Sequence, residues 1–433
     1  MNDETEEYDE ESTPPRSNTR SLTDISAFFS RTFESFKNPV YRLYYVSMAG
    51  HWGSMNMQTV ARSLLIYRIT GSGAILGLFG LATAIPMIIF TLPGGVAADR
   101  MQKKIVIQIG QASSAVISLI NTIALFTGYV SPEHPESWWV LMVCGIIQGG
   151  IMGFIMPARS SIINEIVGRE HLMNAISLNN LGMNVFRLLA PAFAGFLIDA
   201  FDFWVVFAIN TGMYIISTLC VIFVPPSPVV ATGERNTLDD VVEGWRYIRR
   251  EKTIFLVLLF TMAATILGGP YIQLLPMFTE GILDVGATGM GVLISCSGIG
   301  AILVALIIAS MGSRKRGLLM LYSGLMISLA LVVFAFSRSW VLWLVMMAFI
   351  GMGNTGVMAL GNSLVQHYVE AGYRGRVMSF FALSFGFGAL GSFFAGILAE
   401  GVGANWAVGS LAAAFVIITV ALLLTSRPLR KLD

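Results

Sequence analysis

Charge is what this sequence has least of. Of its 433 residues only 12% are Asp, Glu, Lys or Arg, while 55% are hydrophobic. A soluble domain carries about 25% charged residues, so a water-exposed globule of this length would lack the charge to cover itself. The charges also nearly cancel, 27 basic against 26 acidic, which leaves no basic excess for nucleic acid. Cysteine is scarce. Cys144, Cys220 and Cys296 each sit inside an apolar run, an odd set that builds no disulfide framework and has no zinc spacing. Four scattered histidines make no metal cluster, and no Ser/His/Asp set supports an enzyme. A G-x-x-x-x-G-K-S/T loop is missing, so no ATPase is built in and vectorial work would draw on a gradient. No cofactor is expected.

Long apolar runs are what the chain does have. A helix crossing about 30 Å of hydrocarbon needs roughly 20 apolar residues. Cutting at charged or Gly/Pro-rich breaks gives twelve such spans, near 41–68, 73–97, 105–129, 138–156, 173–198, 203–224, 254–280, 286–311, 317–337, 340–360, 377–400 and 404–425. The expected fold is an all-α membrane protein of twelve transmembrane helices in two six-helix bundles. Residues 1–37 read as an acidic disordered tail, because Asp3 to Glu11 precede Pro14, Pro15 and polar residues with no signal-peptide apolar region.

Lysine and arginine set the expected orientation. With the N-terminus inside, 23 of the 27 basic residues fall on the inner side, in the tails, the central loop and the 2–3, 4–5, 8–9 and 10–11 loops. Arg159 and Arg169 are counted with the 4–5 loop. Only Arg68 and Arg338 lie outside, and Arg62 and Arg187 fall within spans. Both termini are therefore expected in the cytoplasm. Residues 38–224 form the N-terminal bundle, 225–253 a cytoplasmic linker, 254–425 the C-terminal bundle and 426–433 a tail. The linker's Leu238–Arg250 stretch is amphipathic, with Leu238, Val241, Val242, Trp245 and Ile248 on one side, and is expected on the membrane surface.

The halves resemble each other. Gly77 opens a run ending in Asp99-Arg100, and Gly291 one ending in Ser313-Arg314, at an offset of 214. EIVGREHLMNAIS parallels QHYVEAGYRGRVMS, with Ser177 and Ser379 offset by 202. Such repeats suit two bundles rocking about a shared midplane site.

The sharpest motif is GGVAADRMQKK between spans 2 and 3, carrying Gly95, Asp99, Arg100, Lys103 and Lys104. Small residues let helices approach closely, and an acid can accept from a neighbouring helix start. Here the chain resembles the major facilitator superfamily, whose 2–3 loop has a Gly-x-x-x-Asp-Arg-x-x-Arg/Lys-Lys pattern. The resemblance covers residues ~38–425 and implies alternating access, with Asp99 and Arg100 in a conformational latch. MPARSSIINEIVGREHLMNAISLNN and GYRGRVMS resemble the branch holding the enterobactin exporter, macrolide-efflux proteins and the lysophospholipid transporter. By resemblance, spans 1, 4, 5, 7, 8 and 10 line the path, in a bacterial inner membrane. In span 5, Ala190-Pro191-x-x-Ala194-Gly195 partly matches the Gly-Pro-x-x-Gly-Gly packing motif of drug–proton antiporters. In span 4, Gly145-x-x-Gln148-Gly149 stands where many antiporters have Arg-x-x-Gln-Gly.

No Asp or Glu falls near a span centre, so no carboxylate relay is expected. Arg187, near the middle of span 5, either binds an anionic group or knits helices together. Span 1 is unusually polar. Met55, Gln58, Thr59 and Arg62 roughly share a face, whereas Thr59, Arg62 and Tyr67 do not share one with His51. His51 either carries a coupled proton or bonds between helices. The expected cavity residues are Gln58, Arg62, Gln148, Asn184, Arg187, Gln273 and Asn354, with Asn180 and Asn362 as further amides. The 23 methionines and 28 phenylalanines either form an adaptable cavity wall or face lipid. The expected activity is secondary export of amphipathic small molecules, drug-like or siderophore-like, by a monomer exchanging them for protons. The alternative is a transporter or flippase of an anionic amphiphile such as a lysophospholipid, without a buried carboxylate relay.

Overall fold

The computed structural model describes residues 34–226, 237–311, 315–430 and 432. The tail up to residue 33, the PPSP end of the linker beyond Pro226, Ser313 and Arg314 lie outside them. The described residues are helical with no strand. Span 1 is Pro39–Thr70, span 2 Gly73–Arg100, span 3 Lys103–Phe126, span 4 Pro135–Gly168, span 5 Glu170–Ala200 and span 6 Phe203–Ile222. A linker helix, Thr237–Arg250, follows. Span 7 is Lys252–Gly281, interrupted before Tyr271, and span 8 is Gly286–Ser310. Span 9 is Arg316–Phe336, span 10 Trp340–Tyr368, span 11 Arg374–Val402 and span 12 Ala404–Thr425.

Among the described residues, 11 helices are long and apolar enough to cross a membrane. Span 1 is the twelfth. Its 32 residues rise about 48 Å, but its polar side chains keep its hydropathy below that of the others. Asn38 caps it, accepting from the Val40 and Tyr41 N–H groups at 2.9 and 3.4 Å, with Pro39 in the first turn. Gly71, at φ 62°, ends it in the left-handed conformation.

Spans 4 and 5 differ from expectation. The helix does not stop at Met156 but runs to Gly168, whose φ of 69° and ψ of 176° suit only glycine. Arg159 therefore stands on a helix rather than in a loop, and its side chain is 8% exposed. A charge in the sequence marks a loop only if the side chain reaches water, and this one does not.

Packing repeats between the halves. Spans 1 and 5, 2 and 4, and 3 and 6 pair in the first bundle, as do 7 and 11, 8 and 10, and 9 and 12 in the second. The bundles meet through spans 2 and 11 and spans 5 and 8. Gly77 is needed there, since a Cβ on it would lie 2.6 Å from the Ser392 carbonyl oxygen. The linker helix docks on the start of span 11. Tyr247 stacks on Tyr373 at 4.4 Å, Glu243 pairs with Arg376 at 2.6 Å and Ile248 is buried. Val242 and Trp245 stay exposed, while the side chains of Leu238 and Val241 are outside the described set. The end bearing this helix and the Lys/Arg-rich loops is called the basic end below.

Candidate functional site

A cavity of about 290 Å³ opens beside span 1, lined by Met55, Gln58, Thr59, Arg62, Phe79, Thr83, Met87, Gly145, Gln148, Met152, Tyr214 and Gln273, among others. Spans 2 and 4 can flank it closely because Gly149 and Gly153 lie against the carbonyls of Thr83 and Met87. Arg62 is 9% exposed and one of its terminal nitrogens has no hydrogen-bond partner among the described residues. Gln58 Nε2 and Gln148 Oε1 are likewise unpaired, although Gln148 Nε2 donates to Ser114 Oγ at 3.1 Å. Gln273 donates across the bundles to the Leu76 carbonyl at 2.9 Å. The lining residues include no carboxylate. Arg62 and Gly145, the position where the span 4 motif lacks its arginine, line the same cavity. Among the described residues no group of three His, Cys, Asp or Glu side chains is arranged to hold a metal.

The cavity thus brings together Gln58, Arg62, Gln148 and Gln273 of the seven expected residues. Asn184, Arg187 and Asn354 are not on its wall. Arg187 is half-buried in span 5; its backbone carbonyl lies against Gly298 of span 8. Among the described residues its guanidinium makes no hydrogen bond or ion pair. Asn180 is exposed and its neighbour Asn179 is buried. Asn362 accepts a bond from Gln366 within span 10. Gly195 and Pro191 meet Ala287 and Gly291 of span 8, and Ala190 is buried.

His51 belongs to a stripe the sequence reading misplaced. Tyr44, Ser47, His51, Ser54, Gln58 and Arg62, spaced by three and four, are all at most 9% exposed. Eleven residues make about three turns, so His51 and Arg62 face the same way, whereas Met55 and Thr59 are exposed at the edge. The His51 ring lies 6.4 Å from that of Tyr214, and its Nδ1 is unpaired. Arg159 lies within electrostatic reach of His51, Tyr44 and Tyr214. Sequence reasoning missed it. The signal was its spacing of seven from Met152 on one helix face.

In the 2–3 loop, the glycine in close contact is Gly94, against Phe154; nothing lies within 4 Å of a Cβ on Gly95. Lys103 pairs with Glu165, and Lys104 donates to the carbonyls of Ile222 and Val224, both at 2.6 Å. These bonds tie the loop to the first bundle. Asp99 and Arg100 are exposed.

At the opposite end, acids join the bundles. Arg68 donates to Glu280 at 2.7 Å and lies 3.9 Å from Asp199. Asp199, closing span 5, accepts from the N–H groups of Ala287 and Thr288 at the start of span 8, at 3.3 and 2.7 Å. Glu400, closing span 11, accepts from the Ser72 hydroxyl and, at 3.3 Å, from the Ala74 N–H at the start of span 2. Ala74 and Thr288 are offset by 214, as are Gly77 and Gly291. Each bundle therefore caps a helix of the other with a carboxylate, the favourable sign for a helix N-terminus.

The chain is similar to proteins already known. It is 25% identical over 341 residues to the enterobactin exporter EntS of Shigella flexneri, covering 78% of this chain and 80% of that protein. It is 20% identical over 360 residues to the staphyloferrin A transporter of Staphylococcus aureus, covering 82% and 88%. The crystal structure of the nucleoside transporter NupG superposes with a TM-score of 0.68 at 16% identity, covering 89% of this chain and 97% of that one. A family model described as transmembrane secretion effector matches residues 30–433. The chain is a multi-pass membrane transporter, not an enzyme, and belongs to this transmembrane secretion effector family of the major facilitator superfamily.

Proposed function

We propose that the protein exports an anionic amphipathic small molecule, siderophore-like in chemistry, from the cytoplasm across the plasma membrane. The observation that carries this reading is Arg62, buried with an unpaired terminal nitrogen on the wall of a cavity whose lining has no carboxylate. A guanidinium stays charged and offers a fork for a carboxylate or catecholate. Met55, Phe79, Met87 and Met152 supply a deformable apolar wall for the rest of the cargo. The siderophore names of the two relatives point the same way.

In this reading the basic end is cytoplasmic and cargo loads there while the acid-capped end holds the bundles together. Asp99 and Arg100 latch the cytoplasmic side when the bundles rock. Protons supply the energy through His51, and a monomer suffices.

The test is uptake into inverted vesicles under an imposed proton gradient, with a carboxylate siderophore and its neutral ester. Arg62→Gln is expected to slow the anion at least tenfold and the ester less than twofold. Equal loss of both would make Arg62 structural. No gradient-dependent uptake of the anion by the unaltered protein would overturn the export reading.

A further inference from the structure

A second buried arginine asks for a partner that the described residues do not supply. Arg159 is 8% exposed, and its Nε and Nη2 have no hydrogen-bond partner among the described residues. Those two nitrogens form one edge of the guanidinium, the edge that meets two oxygens of a carboxylate side-on. Around it stand Ile155, Ala158 and Ile162 of the same span, all within the apolar cluster at the basic end of the first bundle. Tyr44, Tyr214 and His51 lie within electrostatic reach of Arg159. The Tyr44 hydroxyl is engaged by the Arg159 backbone carbonyl, to which it donates at 3.2 Å. Asn179, which is 7% exposed, and His51 each keep an unpaired atom. The acids described in the first bundle lie at helix ends and loops, and Glu165, further along the same helix, is taken by Lys103.

The physics of this arrangement is one-sided. An ion buried without a counter-charge is strongly destabilising, and a guanidinium does not escape by giving up its proton. We propose that Arg159 holds a carboxylate-type oxyanion, in a site of the first bundle separate from the cavity and one layer nearer the basic end. His51 and Tyr214 stand between the two arginines. Tyr214 lines the cavity and lies within electrostatic reach of both Arg62 and Arg159. The oxyanion is either a small free anion kept as a counter-ion or the charged group of the cargo on its way to Arg62. Only the second source rests on the export reading.

The experiment is equilibrium dialysis of the purified full chain in a sodium chloride buffer, against labelled acetate and, separately, a labelled long-chain carboxylate. The protein is expected to bind a carboxylate, and in the Arg62→Gln background, where the cavity arginine no longer contributes, adding Arg159→Gln is expected to reduce affinity at least tenfold. Arg159→Lys keeps the charge but loses the fork, so it is expected to bind at least fivefold more weakly; it decides the matter if Arg159→Gln does not fold. Binding of acetate identifies the retained counter-ion, and binding of the long-chain carboxylate alone identifies the cargo. No binding of either, or equal binding by the Arg159 variants, would overturn the site. Failure of export with this binding intact would overturn the transport reading and leave the site standing.

Discussion

The two bundles share a packing plan but bury different chemistry. In the first, the buried set includes His51, Gln58, Arg62, Gln111, Asn121, Gln148, Arg159, Asn179 and Asn210; in the second, the buried polar residues among those described are serines and threonines. Most of those hydroxyls bond one turn back along their own helix, as Thr261 does to Val257 at 2.9 Å and Ser328 to Gly324 at 2.9 Å. Such a hydroxyl is satisfied locally and needs no ligand. A buried amide or guanidinium has more donors than its own helix can accept, and the unpaired atoms of Arg62, Gln58, Arg159 and Asn210 are the remainder. Each unpaired group is destabilising by about 1–3 kcal/mol, a penalty that cargo, an anion or ordered water removes. In the proposed reading recognition falls mainly to the first bundle, with Gln273 of the second reaching the same cavity, and the second is the body against which it rocks.

The largest expected effect tests this division at the loops. Asp99 corresponds to Ser313 at the offset of 214. Asp99→Ser, which makes the first loop like the second, is expected to lower transport about tenfold at equal expression, as loss of about 1.4 kcal/mol of latch stabilisation would. Ser313→Asp is expected to change it less than twofold. Unchanged transport in Asp99→Ser would remove the loop from the mechanism.

An intermediate effect is expected where the bundles are alike. Asp199→Asn and Glu400→Gln each remove the charge from a helix cap, a loss of about 0.5–1 kcal/mol, or roughly a two- to fivefold shift in the closed population. Spin-label distances between spans 5 and 8 and between spans 2 and 11 read that shift. Similar shifts are expected from both variants; a response from one alone would show that the symmetry of the caps does not extend to their energetics.

The smallest effect belongs to the second bundle's core. Ser328→Ala and Thr261→Val are expected to change stability by less than about 0.5 kcal/mol and leave transport intact, because only a bond to their own helix is lost. A transport defect with unchanged melting would mean that this bundle also binds cargo, and the contrast would fail.

Much of the fold was legible because lipid imposes a simple rule. Each span must satisfy its own backbone and present about 20 apolar residues, so the runs mark themselves. The site was less legible. A helix turns about 100° per residue, so neighbours in sequence point apart. That is why Asn179 is buried and Asn180 exposed, and why Gly94 rather than Gly95 meets Phe154. Span 1 was read one step off for the same reason, leaving His51 outside the stripe it belongs to. Arg159 was hidden differently, because charge in sequence does not reveal whether a side chain reaches water.

The sequence by itself determined the helices, their number and the end at which basic charge gathers, since these follow from hydropathy and charge summed along the chain. Only the tertiary structure decided which polar side chains share a dry interior. That depends on helix rotation and on the glycines that let one backbone press against another, and neither is a property of any one segment.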